Sequence, residues 1–442
     1  ALALVGGVVA SSIFAARAER AREQAVSAEA RAVERFNEVR ALANVFLFDL
    51  YDRVNTLEGS LSARQLMVDE GVRYLDRLAA EANEDPTLSA EVAAGYQRLG
   101  EIQSSIRGGN LGDAAGAKQS YGKALQLRRS LAAAEPENVL YQMQVGSTLL
   151  SLGDLARMEG RLDEAMSDFT QAIAIFDRQP PDSKSEFRLA VVLSSLADAL
   201  MDAGRFADAA PYVERSMELR KNLLARHPAN PDIKRAYAVG LGRQADIAFE
   251  NGDKATAIRL LAENLRVRRE LAQVDPDNGR FKRDLFTAIV LLGDTRRSLG
   301  TDGDLEAALV ELNEAVELAV ELLNAAPTDW RGAVDLAGVR TIRGETLLDL
   351  GRIDESIAEL EIASQGADQA SHRNPENVRA SRTAARAHEL LARALEENDR
   401  ARAIESLDRA IVYWRALVDE VQEAIGHQAS CSARMGFLLT DA

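Results

Sequence analysis

Hydrophobic and polar positions divide the chain into three stretches of different texture. The first runs from Ala1 to Ala16 and is apolar, with Arg17, Arg20 and Arg22 directly behind it. Sixteen residues fall just short of a full bilayer span. The expectation is a truncated transmembrane segment over 1–16 with the arginines as its interfacial flank. A signal peptide and a plain buried helix are the alternatives, although the basic start that a signal peptide carries before its apolar run is missing. The second stretch, 17–54, mixes Ala, Glu and Arg without Pro or Gly, which favours one long helix, a stalk. It ends on the apolar run Val45-Phe46-Leu47-Phe48-Asp49-Leu50-Tyr51, which reads as a packing contact for the first hairpin.

From there on, apolar residues recur at helical spacing and are interrupted at regular intervals. Pro86, Pro136, Pro228, Pro276 and Pro375 lie about 46 to 50 residues apart or twice that, and Pro180 and Pro327 fill the two wider gaps. Proline lacks a backbone N–H and clashes with the preceding turn, so each marks a helix end. An Asn or Asp follows within two residues in most cases, as in Glu135-Pro136-Glu137-Asn138 and Asp275-Pro276-Asp277-Asn278, and caps the next helix. Midway between prolines stand Gly160, Gly204, Gly252, Gly303 and Gly351, with Asn398 in the same role. Glycine tolerates the left-handed backbone that closes a helix, so each of these predicts a tight turn between two antiparallel helices.

Around those turns one pattern returns. Leu152-Gly153, Gly160, Leu162-Asp163-Glu164-Ala165, Phe169 and Ala172 form one copy, and Leu196-Ala197, Gly204, Phe206, Ala209 and Val213 another. Further copies are built on Ala245 and Ala257, on Gly293 and Ala308, on Gly344 and Leu360, and on Ala403 and Leu407. An earlier copy, Leu99-Gly100 with Ala117, Tyr121 and Ala124, has its turn lengthened by Gly109-Asn110-Leu111-Gly112-Asp113. These residues resemble the tetratricopeptide repeat. The fold expected is therefore all-α: an α-solenoid, a right-handed superhelix of tetratricopeptide-like hairpins with long helices, preceded by a long N-terminal helix. The expected divisions are an N-terminal capping hairpin over 43–88 with Leu57-Glu58-Gly59-Ser60 as its turn, an array of about seven units over 89–420, and a C-terminal capping helix over 421–442.

Composition narrows the chemistry. Aromatics make up 5% against 47% hydrophobic residues, so small side chains dominate and suit closely spaced helices. A formal charge of −16 disfavours nucleic acid as a partner. Cys431 stands alone, which excludes an internal disulfide. His227, His372, His388 and His427 are scattered without metal spacing, and the Arg107–Asp113 loop lacks the strand and Gly-Lys-Ser/Thr of a phosphate loop. No hydrolase, metalloprotease or kinase catalytic motif is present, so no catalytic, metal or cofactor-binding residue is expected.

The first helix of each hairpin is where related arrays hold extended peptides, and it carries Arg98, Arg157, Arg188, Lys234, Arg235, Arg243, Arg340, Arg343, Arg382 and Arg386. A guanidinium fork suits carboxylates, which makes an acidic peptide or a peptide C-terminus the expected partner. Acids such as Asp246 and Glu345 are sequence neighbours that compete for the same arginines. Self-association through the stalk is the other partner expectation.

The run Arg35-Phe36-Asn37-Glu38-Val39-Arg40-Ala41-Leu42-Ala43-Asn44-Val45-Phe46-Leu47-Phe48, with the later Asn110-Leu111-Gly112-Asp113, resembles the C-terminal half of bacterial membrane-anchored serine/threonine protein kinases. The resemblance implies a single-pass membrane protein with an extracytoplasmic array, the sensing or scaffolding half of a kinase. ATP and magnesium would belong to the kinase part alone. The competing expectation is a soluble or secreted structural adaptor unconnected to a kinase.

Overall fold

The computed structural model describes residues 61–81, 85–104, 113–327, 329–373, 377–418 and 424–440, with Arg22 and Pro375 besides. The apolar segment 1–16, the stalk 17–54, the Leu57–Ser60 turn and the 107–112 loop lie outside the described residues. Sixteen helices are present and no strand occurs among the described residues. The expectation of a single-pass membrane protein is corrected: no described helix is long and apolar enough to cross a membrane. Every described helix carries the mixed apolar and charged faces of a packed water-facing element.

The chain divides into two units, 1–175 and 176–442. In the first, α1 (Leu61–Glu81), α2 (Pro86–Ser104), α3 (Ala114–Ala134), α4 (Val139–Met158) and α5 (Leu162–Phe176, whose last residue opens the second unit) follow one another. The core between α1 and α2 is Met67, Val68, Leu75, Val92, Tyr96 and Leu99. The Tyr96 hydroxyl and the Lys123 ammonium both donate to the Asp76 carboxylate at 2.5 Å, tying α1, α2 and α3 together.

The second unit contains α6 (Ser183–Asp202), α7 (Phe206–Arg226), α8 (Pro231–Glu250), α9 (Lys254–Val274), α10 (Gly279–Arg297), α11 (Asp302–Ala325), α12 (Trp330–Asp349), α13 (Ile353–Arg373), α14 (Val378–Leu395), α15 (Arg400–Ala416) and α16 (Ala424–Thr440). Successive members pair as hairpins, each even-numbered helix from α6 to α14 being the first of its pair and the next odd-numbered helix the second.

Capping residues set the helix starts as the sequence predicts. The side chains of Asn138, Asp182, Asn230, Asn278, Asp329 and Asn377 accept hydrogen bonds from the first free N–H groups of the helices they precede. Gly160, Gly204, Gly252 and Gly351 all have φ between 71° and 80°. At each, the next residue donates five positions back, for instance Arg161 N to Ala156 O at 2.8 Å, a closure that only a left-handed residue allows without strain.

Two turn residues differ from expectation. Gly300, with φ 73°, closes α10, whereas Gly303 lies inside the first turn of α11 behind the cap Thr301. Asn398 is not left-handed either; its turn closes through Asp399 N donating to Leu395 O at 2.8 Å, and Asp399 caps α15.

In several hairpins the two helices approach where the first presents a glycine. A Cβ added to Gly153 would lie 2.5 Å from the Phe169 ring, and one added to Gly344 would lie 2.5 Å from Leu360 Cγ. Ala197 and Ala245 hold this position opposite Val213 and Leu261, with all four side chains buried. The approach brings bulky second-helix side chains out of water, each burial contributing about 1.5–3 kcal/mol.

Candidate functional site

The first helices of the second unit are joined along one side by ion pairs that span a whole repeat. Arg243 on α8 reaches back to Asp198 on α6 through two hydrogen bonds of 2.6 and 2.5 Å. Arg235 on α8 reaches forward to Asp284 on α10 at 2.5 and 3.1 Å. On α12 the acids are clamped from both sides. Asp335 accepts from Arg283 of α10 at 3.0 Å and from Arg379 of α14 at 2.6 Å, and Glu345 meets Arg297 of α10 at 3.5 Å and Arg386 of α14 at 2.7 Å. Asp335 is only 5% exposed, so these pairs are shielded from water and from salt more than surface pairs are.

This geometry places the predicted arginines one by one. Arg235, Arg243 and Arg386 belong to the repeat-spanning pairs described above. Arg340 and Arg343 converge on Glu359 of α13, both at 3.1 Å, inside their own hairpin. Lys234 pairs with Glu270 at 3.7 Å. Arg188 is exposed on α6. In the first unit, Arg98 lies 3.5 Å from Glu101 and Arg157 is half-buried near the end of α4. Glu345 is an ion-pair partner, as its position beside the arginines suggests; Asp246 pairs with none of them. The remaining acids, Asp198, Asp284, Asp335 and Glu359, were not evident. For Asp198, Asp284 and Asp335 the signal was a charge of opposite sign one repeat away, 45 residues between Asp198 and Arg243 and 49 between Arg235 and Asp284, whereas Glu359 meets Arg340 19 residues away in its own hairpin.

Arg382 and Arg386 are brought together at a cleft of about 410 Å³. Gly338, Thr341 and Ile342 of α12 form one wall, Arg382, Thr383 and Arg386 of α14 the other, and Trp414 and His427 complete the lining. Trp414 is 1% exposed and stacks on the His427 ring with centroids 4.6 Å apart. Glu389 holds both, accepting from Trp414 Nε1 at 3.3 Å and lying 3.0 Å from His427 Nδ1. Nothing lies within 4 Å of where a Gly338 Cβ would stand, so that residue leaves its wall open. Cys431 is buried close by; burial and the Glu389 charge push its thiol up to about 12, which keeps it protonated and unreactive at neutral pH. The cleft therefore offers two guanidinium groups one helical turn apart on a firm aromatic base. It has donors for a carboxylate.

The succession of hairpins defines an α-helical repeat protein. Residues 189–229, the larger part of α6 and the whole of α7, match the tetratricopeptide repeat family. No curated protein matches the chain. Among solved structures, BtubC from P. vanneervenii aligns at 18% identity and a TM-score of 0.45, covering 58% of this chain and 91% of BtubC. A tetratricopeptide repeat protein from Parabacteroides merdae aligns at 14% identity and a TM-score of 0.39, covering 78% of this chain and 99% of its own. The nuclear import adaptor Nro1 of S. pombe aligns at 14% identity and 0.43, covering 65% and 95%. These alignments bear on neither partner nor activity, nor on the kinase resemblance of residues 35–48.

Proposed function

We propose that the chain is a protein-interaction scaffold that takes an acidic peptide segment, or a peptide C-terminus, in the cleft between α12 and α14. One observation carries the reading: Arg382 and Arg386 stand together in a 410 Å³ cleft on the first helices. Arg386 gives Nη2 to Glu345 at 2.7 Å and lies 3.8 Å from Glu389 through Nη1, and a guanidinium presents five N–H donors, so it retains donors for a further carboxylate. The Thr383 hydroxyl on the α14 wall gives its proton to Arg379 O at 2.8 Å and keeps its oxygen as an acceptor for a peptide backbone N–H.

The test is fluorescence anisotropy of the full chain against a library of acidic and C-terminal peptides, repeated with Arg382→Ala and Arg386→Ala together. Affinity falling by about tenfold, or ~1.4 kcal/mol, supports the cleft. Equal binding by the variant, or no peptide bound, refutes it.

A narrower reading, that the array is the sensing or regulatory part of a serine/threonine protein kinase, is supported by the resemblance of residues 35–48. Reading the genomic sequence upstream of the codon for Ala1 tests it. A glycine-rich loop and a catalytic loop there support the reading, and a coding region without them overturns it.

A further inference from the structure

The second helices are also joined to one another: Lys118 pairs with Glu164 and Arg402 with Glu361, and one further pair of positions recurs along the chain. Counting from the small buried residue that opens each second helix, position twelve of one helix faces position six of the next. This rung is Arg129 to Gln171 at 3.1 Å between α3 and α5, Arg215 to Asp177 at 3.0 Å at the start of the second unit, and Arg269 to Glu314 at 2.5 Å between α9 and α11. Between α13 and α15 it is Arg409 to Asp368 at 3.3 Å. Between α11 and α13 both positions are apolar, Val320 and Ile362.

At α7 and α9 the rung positions are Lys221 and Glu263, a complementary pair, and the bond is not made. Glu263 instead accepts from the Tyr237 hydroxyl of α8 at 2.6 Å, while Lys221 points into solvent. No ion pair joins α7 to α9 among the described residues. A cleft of about 480 Å³ opens where the rung would close. Its floor is Ala210, Tyr237, Ile247 and Ala248, partly exposed above the buried Val213, Leu241 and Leu260, and its rims are Glu214 and Lys221 on α7 and Arg259 and Glu263 on α9.

We propose that this groove is a docking site for an amphipathic helix of a partner protein, a surface separate from the α12–α14 cleft. Two helices running in the same direction, floored by a third, form a trough that a fourth helix fills with residues at i, i+4 and i+7. The charges select its flank. Lys221, left without its rung, needs a carboxylate, and Glu214, two turns earlier on the same wall, needs a base. A helix supplying both replaces the missing rung and covers the partly exposed Ala210, Tyr237, Ile247 and Ala248.

The experiment is calorimetric titration of the full chain with a helical peptide of about 18 residues. It has leucines at i, i+4 and i+7, a lysine beside the first leucine and a glutamate beside the last. Binding is expected, weakening about tenfold for Lys221→Glu and recovering when the peptide's glutamate is changed to lysine; circular dichroism of this exposed-site variant reports its folding. Three results overturn the proposal: binding no tighter than that of the leucine-to-serine control, affinity indifferent to the charge exchange, or affinity lost in the Arg382→Ala, Arg386→Ala variant and kept in Lys221→Glu.

Discussion

Replacing Gly153 by alanine places a Cβ 2.5 Å from Phe169 Cε1, 2.7 Å from Cδ1 and 3.0 Å from Cζ. The ring has no room to retreat, since Phe169 is 0% exposed and Ala165 and Ala172 beside it are also fully buried. Forcing a methyl into such a site costs about 1–3 kcal/mol. Alanine returns up to ~1 kcal/mol of helix propensity in mid-helix, so a net loss of about 1–2 kcal/mol is expected. Gly122 on the exposed side of α3 has nothing within 4 Å of its Cβ position, and Gly122→Ala is expected to stabilise by up to ~1 kcal/mol. The repeat also suggests the compensating change. Ala197 and Val213, both buried, hold the equivalent positions in the next hairpin, so Gly153→Ala with Phe169→Val reproduces a combination the chain already uses. Phe169→Val alone removes buried volume and costs about 2–4 kcal/mol, and the double variant is expected to lose at least ~1 kcal/mol less than the two single losses added. Urea unfolding followed by circular dichroism measures all four proteins, with the slope compared as well as the midpoint because repeat arrays depart from two-state behaviour. Strict additivity, or a Gly153→Ala protein as stable as Gly122→Ala, would refute the close-approach argument.

Further outcomes follow from individual sites. Gly160→Ala strains a φ of 73° and is expected to cost about 1 kcal/mol or more, while Gly303→Ala, inside α11 and exposed, is neutral or stabilising in thermal melts. Burial pushes the Asp368 carboxyl up, but hydrogen bonds from His388 at 3.0 Å and Tyr413 at 2.9 Å, with the Arg409 charge, outweigh it and hold the group below its ordinary value of 3.8. A depressed carboxylate contributes stability that is present above its unfolded value and is lost as pH falls through the folded one. The Tm gap between the native chain and Asp368→Asn is therefore expected at pH 7 and to shrink below about pH 4; a gap unchanged at pH 2 would contradict it. Arg220 is 3% exposed, its Nε and Nη1 lack hydrogen-bond partners, and burial together with the Arg243 charge pushes it down to about 9. Arg220→Met is expected to be at least as stable, gaining up to ~1–4 kcal/mol, and a clear drop in Tm would show that the guanidinium is satisfied.

Whatever depended on a few consecutive residues was legible in the sequence. Asn138, Asn230 and Asn278 cap helices because a short amide side chain reaches N–H groups two or three residues ahead. Gly160, Gly204, Gly252 and Gly351 close them because no Cβ opposes the left-handed backbone. The small residues Gly153 and Gly344 pointed to a close approach within the hairpin, but that Phe169 and Leu360 are the side chains that fill it is decided by the packing. Between Gly300 and Gly303, local chemistry gave no preference, since both tolerate either backbone. Tertiary packing chose Gly300, because α11 must start early enough to set Leu305 and Ala308 into the core and Leu312 against Gly293. The arginines of the first helices were visible as a set, but whether each faces a ligand or a carboxylate is decided by a helix one repeat away. Asp335 becomes a shared partner only when α10, α12 and α14 lie side by side. The unmade rung at Lys221 and Glu263 lies at the far limit of sequence reading, because charge complementarity alone predicts a bond there. Tyr237, packed beneath from α8, takes the carboxylate first, and a competition among three helices is settled only by their arrangement in space.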